Sequence, residues 1–200
     1  MRKFVDLHLR PSIENLGQVE KLVKRSSDLG YHSVGIPLPP NVKPEEIHQL
    51  KTICENVGVD LVTRIDFLPK TSGELLRNLR RFRRKFEIVS VTCNSKSVAR
   101  QAAKDRRVDL LAFSTGFPCR RFFDSAEAEL SSKAEGALEI DMVSLLFLTG
   151  FPRIRFLSSL RKEVAIARKF EVPVVISSGA TDASLLRGPY DCAALATLFD

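Results

Sequence analysis

Phe4-Val-Asp-Leu-His8, the amphipathic segment Asn15–Leu29 and Ser33-Val-Gly-Ile36 open the chain. A short apolar run, a segment with helical spacing of its apolar residues and a second short run make one β/α unit. The pattern continues. Further strands are expected at Asp60–Arg64, Ile88–Thr92, Asp109–Phe113, Ala137–Asp141 and Val172–Ile176. Helices fit between them at Pro44–Val57, Gly73–Phe86, Ser95–Lys104, Ser125–Ala134, Ile154–Phe170 and Pro189–Phe199, while Pro37-Leu-Pro-Pro40 and Gly150-Phe-Pro152 read as loops. Seven or eight parallel strands at roughly 25 residues per unit suit a single (β/α) TIM-like barrel better than an open sheet. With 200 residues and 44% apolar composition, one domain spanning 1–200 can build its own core.

The remaining composition narrows the function classes. The longest apolar stretch, Met142–Gly150, is far short of a bilayer span, and the N-terminus carries no apolar signal-peptide core, so a cytoplasmic protein without membrane contact is expected. Cys54, Cys93, Cys119 and Cys192 are scattered without a C-x-x-C pair. They suit reduced, buried thiols rather than a zinc ribbon or a disulfide framework.

The positive charge is concentrated. Thr71–Arg107 carries eleven Lys/Arg against three Asp/Glu, an excess larger than the net +7 of the whole chain. Within it, Leu75, Leu79, Phe82 and Phe86 recur on one face of a helix, while Arg77, Arg80, Arg81, Arg84 and Lys85 occupy the opposite arc. Lys96, Arg100 and Lys104 repeat the spacing on the next helix, with Arg106 and Arg107 just beyond. Such a single-sign surface points to a polyanion. Arg120, Arg121, Arg153 and Arg155 are further candidates with more acidic surroundings.

Chemistry in a barrel belongs at the C-terminal ends of its strands. Asp6-Leu-His8-Leu-Arg10 resembles the D-x-H-x-H opening of the PHP (polymerase and histidinol phosphatase) barrel hydrolases, with Arg10 in place of the second histidine. Only His32 and His48 remain elsewhere, too few imidazoles for a multinuclear metal site. A hydrogen-bonded Asp6–His8 pair at the barrel mouth is the expectation. Two alternatives stay open: a metal-dependent PHP-like phosphoesterase using Asp6, His8 and Asp66, and a phosphate-binding barrel enzyme using the Ser177–Ala180 loop.

Val175-Ile-Ser-Ser-Gly-Ala180 and Arg187-Gly-Pro-Tyr-Asp-Cys-Ala-Ala-Leu-Ala-Thr-Leu-Phe199 are similar to the corresponding segments of the ribonuclease P protein component 3 family. Phe4–His8, Gly30-Tyr31 and Arg107–Leu111 agree more loosely, so the resemblance spans nearly the whole chain. It implies a protein subunit of ribonuclease P, an RNA-based endonuclease that removes the 5′ leader of precursor tRNA. The RNA would carry the active site and use Mg²⁺, leaving this chain without catalytic residues, metal or cofactor. Implied partners are the ribonuclease P RNA, precursor tRNA within the holoenzyme, protein component 2 and the other protein subunits. On that resemblance the cations expected to meet RNA are Arg77, Arg80, Arg81, Arg84, Lys85, Lys96, Arg100, Lys104, Arg107 and Arg187. Arg187 would reach either RNA or a carboxylate.

Overall fold

The computed structural model describes residues 3–114 and 121–199. Its strands are β1 (Phe4–Asp6), β2 (Tyr31–Pro37), β3 (Asp60–Phe67), β4 (Ile88–Thr92), β5 (Leu110–Ala112), β6 (Ala137–Asp141) and β7 (Val174–Ser177). Every neighbouring pair is parallel, in sequential order from β1 to β7. The helices are α1 (Leu16–Asp28), α2 (Pro44–Glu55), α3 (Ser72–Phe82), α4 (Lys96–Ala103), α5 (Ser125–Ala134), α6 (Val143–Phe147), α7 (Gly150–Lys169) and α8 (Pro189–Ala196). This is the expected β/α barrel, built on seven strands among the described residues. None of their helices is long and apolar enough to cross a membrane.

Local chemistry sets the helix starts. Asn15, Thr71, Ser95 and Asp124 each accept a backbone N–H from the first turn of α1, α3, α4 and α5. The Gly150-Phe-Pro152 run, expected as loop, is instead the first turn of α7. Gly150 takes φ +57°, and Pro152 sits where the first helical N–H groups have no intrahelical acceptor to lose. α3 is shorter than expected. It tightens into a 3₁₀ turn at Arg83–Lys85, and the Arg83 guanidinium donates to the Phe86 carbonyl at 3.1 Å and to Asp109 at 3.0 Å.

Strand alternation separates two environments. Val34, Ile36, Ile65, Val89, Val91, Leu111, Leu138 and Ile140 are buried in one core with Val19, Leu22, Leu50, Leu75, Leu79, Val98, Phe156 and Leu160 of the helices. Several inward positions are polar. Arg64 on β3 crosses the barrel to Glu139 on β6 with paired N–H···O bonds, the second of them 2.7 Å long. Arg64 is 1% exposed and Glu139 3%. Arg64 also donates to the Leu7 carbonyl at 2.8 Å, and Glu139 accepts from Ser90 at 3.2 Å and Ser177 at 2.8 Å. One buried ion pair therefore ties the chain around β1 to β3, β4, β6 and β7. Around it space is tight: a Cβ on Gly35 would stand 2.4 Å from the Leu7 carbonyl oxygen.

No ladder joins β1 to β7. The loops beyond them close the seam, with Gly179 N–H donating to the His8 carbonyl at 2.9 Å and Arg10 N–H to the Ala180 carbonyl at 2.8 Å. Asp6 Oδ1 bridges the same seam, accepting from the His8 and Ser178 backbone N–H groups at 3.1 and 3.0 Å. Burial pushes the Asp6 carboxyl up despite these bonds. α8 seals the outside, where Tyr31 donates to the Arg187 carbonyl at 2.9 Å and Tyr190 packs edge-on against Phe4.

Breaking the central pair leaves an uncompensated buried charge. Glu139→Gln should therefore cost about 3–5 kcal/mol in urea unfolding. The double variant Arg64→Met with Glu139→Leu should lose less than the single variant, because neither charge then remains. An equal or larger loss in the double variant would show that hydrogen-bond geometry, rather than charge pairing, holds the barrel.

Candidate functional site

The basic arc of α3 is as the helical spacing predicts. Leu75, Leu79 and Phe86 are buried while Arg77, Arg80, Arg81, Arg84 and Lys85 are exposed. Among the described residues no carboxylate pairs with any of these five cations. Phe82 departs from its expected core position. It is half-buried against Phe67, with Arg81 at 5.1 Å and Lys85 at 5.8 Å from its ring centroid. The ring thus supports two cations from below, and the full cost of removing a buried phenylalanine does not apply to it.

α4 packs beside α3, but its cations are largely neutralised by α5. Lys96 meets Asp124 at 2.9 Å and Arg100 meets Glu127 at 3.1 Å. Arg107 folds back onto Asp105 with two bonds of 2.8 and 2.7 Å, whereas Lys104 is exposed without an ion pair among the described residues. The sequence periodicity could not show this, since acids twenty-eight residues away become partners only through the fold. Arg187 meets no carboxylate among the described residues; it donates to the Ser184 and Leu186 carbonyls at 2.8 and 3.1 Å. Arg121 is withdrawn from the surface in a buried pair with Glu163, bonded at 2.6 and 2.7 Å. Arg120 and Cys119 lie outside the described residues.

The barrel mouth holds a second charge cluster, around a cavity of about 420 Å³ bordered by His8, Arg10, Asp66, Asn94, Asp141 and Ser144. Asp6 and His8 are hydrogen-bonded as expected, but through the His8 backbone N–H, 3.1 Å from Asp6 Oδ1, and not through the imidazole ring. His8 instead lies between Asp141, 2.8 Å from Nδ1, and Asp66, 3.1 Å from Nε2. Burial alone would push the imidazole down, but the bonds to Asp141 and Asp66 outweigh it and raise it to about 9. Asp66 also accepts from Arg64 Nε at 2.6 Å. Burial works against its charge, and the neighbouring His8 and Arg64 still hold it below the usual carboxylate range.

This cluster does not suit a metal ion. His8, Glu139 and Asp141 place ligand atoms within 4.8 Å of one another. Both Glu139 oxygens, however, already take the Arg64 guanidinium, and the His8 ring nitrogens already face the Asp141 and Asp66 carboxylates. The Ser177–Ala180 loop is equally unsuited to phosphate. Its Ser178, Gly179 and Ala180 N–H groups donate to Asp6, the His8 carbonyl and Ser178 Oγ, so the seam consumes them. Burial pushes the Cys54 and Cys93 thiols up to about 12, which leaves them inert.

The raised His8 gives a pH signature. Its stabilising contribution is complete below about pH 6.5 and is lost as pH rises through about 9, on the order of 3 kcal/mol. The gap in melting temperature between wild type and His8→Gln should therefore shrink from pH 6 to pH 10. A gap that stays constant or widens would mean the ring is neutral at physiological pH.

The model of the RNase P subunit p30 family matches residues 3–200. Ribonuclease P protein component 3 of Methanococcoides burtonii is 25% identical over 99% of this chain and 80% of its own length. The Methanosarcina barkeri protein of the same name is 28% identical over 97% of this chain and 80% of its own length. A chain in a cryo-EM structure of archaeal ribonuclease P with mature tRNA superposes with a TM-score of 0.81 at 24% identity, covering 97% of this chain and 82% of that one. The seven-stranded barrel, its closing Arg-Gly-Pro-Tyr-Asp turn and this end-to-end match agree: the chain belongs to the RNase P subunit p30 family.

Proposed function

We propose that this chain is a protein subunit of the ribonuclease P ribonucleoprotein and assists its catalytic RNA in removing the 5′ leader of precursor tRNA. The RNA supplies the active site and uses Mg²⁺; this chain contributes no catalytic residue and no cofactor. Its partners are the ribonuclease P RNA, precursor tRNA in the holoenzyme, component 2 and the other protein subunits. The observation that carries the reading is a contrast. Arg64, Glu139, Asp66, His8 and Asp141 at the barrel mouth are paired with one another, while Arg77, Arg80, Arg81, Arg84 and Lys85 face solvent without acidic partners among the described residues.

Cations held along a helix neutralise phosphates and release condensed counterions, which lowers the cost of RNA folding and substrate docking. Spaced around a convex face, they supply charge rather than base-edge geometry, so they position RNA without reading sequence. The ion pairs of α4 give Lys96, Arg100 and Arg107 a secondary part, since each must release a carboxylate before it can take a phosphate. Lys104 is free to add to the α3 surface, whereas Arg187, bonded to its own loop, acts through one remaining edge of its guanidinium.

Salt-titrated RNA binding separates these roles. Each of Arg77→Ala, Arg80→Ala, Arg81→Ala and Arg84→Ala should lower the log–log salt slope by up to about 0.9, with similar losses on unrelated RNAs. Lys96→Ala and Arg100→Ala should change it less. An unchanged slope in the quadruple arginine variant would show that RNA lies elsewhere.

A further inference from the structure

A second exposed surface has the opposite character. Leu146 and Phe147 at the end of α6, and Phe151 and Ile154 in the first turns of α7, are 37, 67, 79 and 62% exposed. α7 buries Phe156, Leu160, Glu163 and Ala167, which puts Phe151 and Ile154 on its outward face. Together the four side chains expose on the order of 500 Å² of apolar surface, a scale at which patches on soluble proteins mark contact sites.

Its surroundings select the occupant. From Leu145 to Lys162 the chain carries four cations and no acid, and Arg153, Arg155 and Lys162 are exposed. A second copy of the chain would bring these same cations against themselves across a two-fold axis, with nothing acidic to meet them. RNA would satisfy the arginines and stack on Phe147 and Phe151, but it would bring no apolar surface to cover the aliphatic Leu146 and Ile154. A protein with an apolar ridge and an acidic rim satisfies both halves of the surface. Position agrees with this division. Arg64 on β3 reaches across the barrel to Glu139 on β6, so α3 and the α6–α7 corner, which follow those two strands, stand on opposite flanks. RNA on one flank leaves the other free.

We propose that Leu146, Phe147, Phe151 and Ile154, rimmed by Arg153 and Arg155, form the docking surface for an acidic-rimmed protein subunit of the same particle. This rests on the ribonucleoprotein reading above. The contact is built around the two phenylalanines, the side chains best able to act as anchors in a partner's pockets. The arginines set orientation and the rate of encounter rather than most of the affinity.

The test uses the full chain, without RNA, titrated calorimetrically with each purified ribonuclease P protein subunit of the same organism, component 2 among them. One subunit should bind. Phe147→Ser, Phe151→Ser and Ile154→Ser should each weaken that binding at least tenfold while thermal melts stay unchanged, and Arg155→Glu should flatten its salt dependence. Unchanged affinity in the apolar variants, or RNA binding by the full chain with no subunit bound, overturns the proposal. So does a wild-type homodimer that these variants dissolve, or a loss of RNA affinity in their place. A wild-type chain that binds neither the RNA nor any subunit would instead sink the ribonucleoprotein reading itself.

Discussion

The Arg64–Glu139 pair is the constraint on which the rest of the structure depends. A parallel barrel ordinarily fills its interior with branched aliphatic side chains. Here a guanidinium and a carboxylate meet on the axis, and burial is tolerable only because nearly every donor and acceptor is used, by Asp66, Ser90, Ser177 and the Leu7 carbonyl. The outward strand residues, Val34, Ile36, Val89 and Leu138 among them, and the helices together supply the apolar layer outside this pair. The same pair joins strands on opposite sides of a sheet whose first and last members share no ladder. The seam itself is closed by backbone hydrogen bonds of the loops beyond β1 and β7, while the pair braces the barrel from inside.

From this centre the chemistry of the mouth follows. Arg64 fixes Asp66, and Asp66 with Asp141 brackets the His8 ring and raises its pKa. Glu139, Asp66 and Asp141 thus face Arg64 and His8 inside one cluster. On the outer surface the controlling fact is where acids are absent. α5 supplies Asp124 and Glu127 to α4, but nothing among the described residues does so for the outward arc of α3. Screening acts over about 10 Å at 0.1 M salt, so cations a helical turn apart present their charge as a group.

Much of the fold was legible because it rests on local periodicity. Ile88–Thr92, Ser125–Ala134 and Ala137–Asp141 were readable to the residue, and Asn15, Thr71, Ser95 and Asp124 are recognisable caps. The face of α3 was legible for the same reason. What escaped was long-range pairing. Arg64 and Glu139 sit seventy-five positions apart, and their signal was only that charged residues fall at inward positions of otherwise apolar strands. Asp141 was missed as the partner of His8, since nothing near either residue announces the other. α6 and the early start of α7 were hidden behind a glycine and a proline whose usual meaning is a loop. Of the exposed phenylalanines beside them, Phe151 was read only as loop and Phe147 only as part of a short apolar run.

The central claim is that this chain assists an RNA catalyst by charge on α3 and performs no chemistry at the barrel mouth. Reconstituted cleavage of precursor tRNA, titrated with Mg²⁺, tests it most directly. The quadruple variant Arg77→Ala, Arg80→Ala, Arg81→Ala and Arg84→Ala should move the Mg²⁺ midpoint to higher concentration while the rate at saturating Mg²⁺ stays near that of wild type. Asp141→Asn, judged folded by its thermal melt, should leave both unchanged. A folded Asp141→Asn particle that no longer cleaves at any Mg²⁺ concentration, beside an arginine variant with an unshifted midpoint, would contradict the account.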